Sequence, residues 1–111
     1  MLIERGKLGA ILRAVRTHRD ELQDAVADRA GVNRAKVSLI ETGKNRGSTA
    51  RVRDLIAAGW QVPRAAVDAL VEGEASTGTA AAAFGVPEAV LLDALGTPAP
   101  RRRFVPAAVA S

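Results

Sequence analysis

Two short amphipathic patterns are joined by a sharp turn at Ala30-Gly31-Val32-Asn33, which admits few arrangements other than two helices crossing closely. Upstream, Leu22, Val26 and Ala30, with Ala27 close by, line one face of a helix that Gly31 stops. Downstream, Asn33 is a good N-cap for RAKVSLIET, whose inner side carries Val37, Ile40 and Glu41. Gly31 lets the backbone turn with positive φ, Val32 plugs the space between the helices, and Ala27 is small where the second helix must cross. Gly43 ends that second helix as a left-handed residue.

The rest of the chain reads as helices around this pair. In KLGAILRAVRTH (7–18), Leu8, Ile11, Leu12 and Val15 recur at i, i+3, i+4 and i+7, one face of a first helix. Asp20 is a candidate N-cap for the second helix, with Gln23 three residues on closing a capping box. After the polar turn KNRGS (44–48), Ser48 or Thr49 caps a fourth helix over 50–58 with Val52, Leu55 and Ile56 inward, and Gly59 interrupts it. Pro63 at a first helical position opens a fifth helix that runs to Glu72. GEASTGT (73–79) is linker-like and lacks the Lys of a phosphate loop. A helical pair, Thr79–Phe84 and Pro87–Leu95, follows, and 96–111 reads as a mobile tail. AAGWQVPRAAVDALVEG (57–73) echoes AAAFGVPEAVLLDALGT (81–97), which predicts two similar helical corners with Trp60 and Phe84 as core aromatics.

Composition narrows the function. The 111 residues include 23 Ala and thirty larger apolar residues, enough for one small core of close-packed helices. There is no cysteine, no tyrosine and one histidine, His18, which falls at a helix end as a surface residue. Disulfide scaffolds, thiolate zinc sites and thiol catalysis are excluded, and no catalytic cluster, metal site or cofactor loop is present in the sequence. No apolar run is long enough to span a bilayer, and no signal-peptide core opens the chain, so the expectation is a soluble, cytoplasmic protein that is not an enzyme. Charge is segregated: residues 1–60 carry a net +5, 61–100 a net −4, and 101–111 a net +3. Six bases fall within 31–53 (Arg34, Lys36, Lys44, Arg46, Arg51 and Arg53) against the single acid Glu41, a pattern that points to nucleic acid.

With a helix-turn-helix skeleton at 22–47, residues 8–59 resemble the Cro/C1-type (XRE-like) helix-turn-helix family of bacterial and phage repressors. The matching pieces are LGAILRAVR, Gln23 and AVADRAGVNRAKVSLIETGK, then a fourth helix. The resemblance implies an all-α, lambda-repressor-like bundle with additional C-terminal helices. It also implies a cytoplasmic regulator in a bacterial cell or phage-infected host, with double-stranded operator DNA as partner. It places Asn33, Arg34, Ala35, Ser38 and Leu39 against bases. It places Gln23, Lys36, Thr42, Lys44, Asn45 and Arg46 near phosphate, and it makes Arg16 and Glu41 a structural ion pair. The side-chain chemistry agrees: Arg34 can bind guanine with two hydrogen bonds, Ala35 and Leu39 can only meet thymine methyls, and Lys44 and Arg46 suit phosphate. The alternative for Leu39 is a core position or a partner contact.

Glu21 and Leu22 depart from the family, which has Leu and then Ser or Thr before the Gln; Leu22 is expected to supply the missing core side chain. The organisation expected is a DNA-binding domain over 1–60, additional helices over 61–97 and a flexible tail over 98–111. The acids Glu88 and Asp93 in the last helix favour packing or self-association for 61–97, with a second DNA-contacting unit aided by Arg101–Arg103 as the alternative. FVPAAVAS resembles C-terminal tags that bacterial unfolding proteases recognise, which would make an intracellular protease a partner. The reading is a sequence-specific transcriptional regulator, a repressor of the phage immunity or Cro-like kind. The alternatives are an antitoxin whose acidic segment binds a basic toxin, or an adaptor that keeps the fold without DNA binding. A homodimer on a palindrome and a monomer on an asymmetric site both fit.

Overall fold

The computed structural model describes residues 1–45 and 47–96. A 3-10 turn at Arg5–Lys7 leads into seven helices: α1 (Leu8–His18), α2 (Gln23–Ala30), α3 (Arg34–Glu41), α4 (Ala50–Trp60), α5 (Arg64–Val71), α6 (Thr77–Phe84) and α7 (Glu88–Ala94). The fold is all-α, as the sequence predicts. A single hydrophobic cluster runs from Ile3 to Leu91 and takes in the predicted Leu8, Ile11, Leu12, Val15, Val26, Val37, Ile40 and Ile56. Trp60 is fully buried within it, and its indole Nε1 donates to the Leu12 carbonyl at 2.8 Å. That bond meets the one polar requirement of an otherwise apolar side chain.

Three helix–helix corners share one construction. Gly31, Gln61 and Gly85 all take positive φ, at 74°, 58° and 71°. The valine after each donates its N–H back five residues, Val32 to Ala27, Val62 to Ala57 and Val86 to Ala81, all at 3.0 Å. The left-handed residue caps the outgoing helix, and the valine covers its last turn. The echo read between 57–73 and 81–97 is thus a repeated corner, and the α2–α3 turn is its third instance. Arg19 ties two of the corners together: Nη1 donates to the Trp60 carbonyl and Nη2 to the Phe84 carbonyl, both at 2.7 Å. Arg29 does the same for the Gly59 carbonyl at 3.0 Å. A cation on the C-terminal carbonyls of α4 and α6 satisfies acceptors that have no partner within their helices.

Several local expectations are corrected. Asp20 does not cap α2; it takes φ 59° beyond the end of α1, where the Glu21 N–H closes the turn on the Arg16 carbonyl. Leu22 is the N-cap residue of α2, makes no side-chain cap bond, and is 74% exposed, so it supplies nothing to the core. Gly59 does not interrupt α4, which continues through it to Trp60. A Cβ at Gly59 would stand 3.0 Å from Val26 Cγ1, so the glycine is there for the close crossing of α2. Pro63 is the N-cap of α5 and not its first residue. Residues 73–79 are not a linker: Ile3 donates to the Ala75 carbonyl and Thr77 to the Met1 carbonyl, both at 2.8 Å, and Ser76 caps α6, which starts at Thr77. The tail expected over 98–111, with Arg101–Arg103 and the protease-tag resemblance, lies outside the described residues.

Candidate nucleic-acid interface

The geometry of α3 begins at its cap. Asn33 Oδ1 accepts from the Lys36 N–H at 3.0 Å, which fixes where the helix starts. Val37 and Ile40 are fully buried, and this anchors the inner side. The same registry turns Asn33, Arg34 and Ala35 to solvent, leaves Leu39 43% exposed, and half-buries Lys36 and Ser38. The five residues expected against bases therefore occupy the cap and outer side of one short helix.

The turn that follows is tightly built. The backbone N–H groups of Lys44 and Asn45 both donate to the Leu39 carbonyl, at 3.0 and 3.1 Å. The Thr42 hydroxyl donates to the Ser38 carbonyl at 2.9 Å, so its proton is used within the helix and its oxygen can only accept from outside while that bond holds. Asn45 Oδ1 accepts from the Gly47 N–H at 3.2 Å, which leaves the amide nitrogen as a donor. Lys44 is exposed. Arg46, the remaining phosphate candidate, lies outside the described residues.

Behind this surface, Glu41 is almost fully buried, its side chain 2% exposed, and Arg16 grips it with two bonds, Nε to Oε2 at 2.7 Å and Nη2 to Oε1 at 3.0 Å. That hydrogen bonding raises the Arg16 pKa above its ordinary value, against the lowering effect of burial. Arg16 Nη1 also holds the Glu21 carbonyl at 2.8 Å, so a single guanidinium joins α1, α3 and the entry to α2. Gln23 Nε2 donates to Glu41 Oε1 at 3.0 Å. The side chain expected at phosphate is thus braced on the buried carboxylate, at the first residue of α2. Beside it Arg16, Leu22, Gln23, Asp24 and Arg34 line a hollow of about 290 Å³.

The distribution of arginines separates scaffold from surface. Arg29 pairs with Glu21 at 2.8 Å, Arg64 pairs with Asp54 and Asp68 at 2.6 and 2.9 Å, and Arg16 and Arg19 are engaged as described. Arg53 lies in the basic segment of the sequence, yet it is part of the scaffold: it bonds the Gly47 carbonyl at 2.8 Å, Asp68 at 3.0 Å and Glu72 at 3.1 Å. Among the described residues, the side chains of Arg34, Lys36, Lys44 and Arg51 make no hydrogen bond or ion pair. Among the described residues, cations with no internal partner therefore lie on α3, on the turn after it and at the start of α4, and also at Lys7 and Arg13 before and on α1. Arg51 is exposed on the first turn of α4, and Leu22 lines the hollow beside Arg34; neither is among the contact residues expected from the sequence. The signal for Arg51 was its place in the basic run; Leu22 carried none, because its apolar side chain reads as core.

Among the described residues, no group of three or more His, Cys, Asp or Glu side chains is placed to hold a metal ion, and no helix is long and apolar enough to cross a membrane. Comparison with curated proteins and with solved structures finds no match. The helix-turn-helix domain family does match, over residues 7–70, which reaches from the start of α1 to the last turn of α5 and includes the whole cationic surface. The chain belongs to the helix-turn-helix domain family.

Proposed function

We propose that the protein is a sequence-specific double-stranded DNA-binding regulator of transcription, acting as a repressor by occupying an operator. The observation that carries this reading is the unpaired cationic surface on α3 and its following turn, set against six arginines bonded within the fold among the described residues. α3 enters the major groove with Asn33, Arg34, Ala35, Ser38 and Leu39 at base edges, Arg34 taking a guanine through O6 and N7. Lys36, Lys44, the Asn45 amide and Arg46 hold phosphate, with Gln23 and Thr42 at the margins of the same track. The repressor role, of the phage immunity or Cro-like type, follows from occupancy alone: nothing beyond binding is required of the chain.

The antitoxin alternative depends on an acidic surface over 61–100. Asp68 and Glu72 are bonded by Arg53 and Asp68 also by Arg64, so part of that charge is offset inside the fold, and Glu88 is tied down by the Thr77 hydroxyl at 2.6 Å. The regulator reading is the better supported of the two.

Two substitutions test the assigned roles. Arg34→Ala should cost about 1–3 kcal/mol on the preferred duplex and relax preference at one base pair, with little effect on random DNA. Lys44→Ala should weaken all duplexes alike and lower the slope of log affinity against log salt by about one. Fluorescence anisotropy on both duplex types over a salt series reads both effects. If the two variants lose affinity identically on preferred and random DNA, the division into base and phosphate contacts is wrong.

A further inference from the structure

Exposed large apolar side chains among the described residues fall in two places. Leu22 and Leu39 flank the α3 surface, while Met1 and Leu2, each 65% exposed, lie together elsewhere. Met1 and Leu2 line a hollow of about 280 Å³ with Glu4, Lys7 and Leu95. The backbone here is extended. Leu2 forms an antiparallel bridge with Ser76, made by the Ile3 N–H on the Ala75 carbonyl and the Thr77 N–H on the Met1 carbonyl. In that pattern the bridging residue itself is the non-hydrogen-bonded member, and its own N–H and C=O point to the opposite edge. Neither group of Leu2 has a hydrogen-bond partner among the described residues. A single extended bridge residue with an unused donor and acceptor, beside its own exposed leucine side chain, can pair with another extended segment.

We propose that this edge pairs with the same edge of a second copy of the chain, Leu2 against Leu2, about a two-fold axis. Three features favour a copy over another partner. A donor and an acceptor on one residue are self-complementary in an antiparallel pair: each Leu2 N–H reaches the other Leu2 carbonyl. The Leu2 side chains then stand side by side on one face, next to Met1 and Leu95. The rim side chains include one acid and one base, Glu4 and Lys7, so the Glu4 of one copy can face the cations of the other, a balance the cationic α3 surface lacks. The contact is short, so the dimer is weak in solution, and two adjacent half-sites on one duplex would raise the effective concentration that completes it. That last consequence rests on the DNA-binding reading; the pairing itself does not.

The test is sedimentation equilibrium of the full chain without DNA, from low to high micromolar concentration. The average mass should rise from monomer toward dimer. Leu2→Pro removes the outward N–H, hence by symmetry both bonds between copies, yet keeps the bonds made by Ile3 and Thr77. It should weaken association about tenfold or more, with an unchanged thermal midpoint showing that the fold persists. Leu2→Ala keeps the backbone and should weaken it less. A monomer at every concentration overturns the proposal, as does a dimer whose strength Leu2→Pro leaves unchanged. Because no DNA is present, either result leaves the DNA-binding reading to stand or fall on its own tests.

Discussion

Arg19→Ala should be among the most damaging single changes outside the apolar core. The guanidinium makes two bonds of 2.7 Å, to the terminal carbonyls of α4 and α6, and so fastens the corner holding Trp60 to the corner holding Phe84. Burial lowers the Arg19 pKa, a cost the fold accepts to place the cation there. A hydrogen bond to a charged group contributes about 1.5–3 kcal/mol. Arg19 is half-buried, so water recovers part of that when the side chain is removed, and the expected net loss is about 2–4 kcal/mol for the two bonds together. Against a total stability of about 5–15 kcal/mol this is a large fraction. Urea denaturation should show a lower midpoint at an unchanged slope, and the thermal midpoint should fall by roughly 10–20 °C. Arg19→Lys should recover less than half of the loss, because one ammonium cannot span both carbonyls as a planar fork does. A midpoint for Arg19→Ala within error of the parent, or full recovery by lysine, would refute the bridging role.

Three further outcomes follow from the geometry. Arg16→Met should cost about 3–5 kcal/mol by leaving Glu41 buried without its cation, and the double change with Glu41→Leu should recover much of it in urea melts. Gly9→Ala should destabilise by about 1–3 kcal/mol, since a Cβ there would stand 2.6 Å from the Ile40 and Glu41 carbonyl oxygens; a neutral result would mean that α1 and α3 can separate freely. Acid should weaken the fold in a defined window. Glu21, held below its usual pKa by Arg29, and Asp68, held below by Arg64 and then Arg53, bind fewer protons folded than unfolded. Their contribution is complete above the ordinary carboxylate values of about 4 and disappears as pH falls through the lower folded values, so Glu21→Gln should flatten the acid limb of urea midpoint against pH.

What was legible in the sequence was local. Gly31 and Asn33 define the corner before α3 because a left-handed turn and a side-chain cap are properties of single residues. The apolar repeat of α1 predicts its buried face for the same reason. What was not legible depended on distant partners. The stretch 73–79 has the composition of a linker, but the N-terminal segment pairs with it across more than seventy residues of chain. Leu22 reads as core by hydrophobicity, yet the turn at Asp20 sets it as the cap of α2 and turns it outward. Arg53 reads as a free cation until α5 folds back to present Asp68 and Glu72. Charge counted along the sequence therefore overstates both the basic surface and the acidic one, because Arg53 spends part of each on the other.

The most direct test of the central claim is selection of bound fragments from a random duplex library, followed by affinity for the selected sequence at two salt concentrations. The account predicts a recovered motif, bound through α3, with affinity falling steeply as salt rises, and loss of preference at one position in Arg34→Ala. No enrichment over the starting library, or binding indifferent to salt, would contradict it.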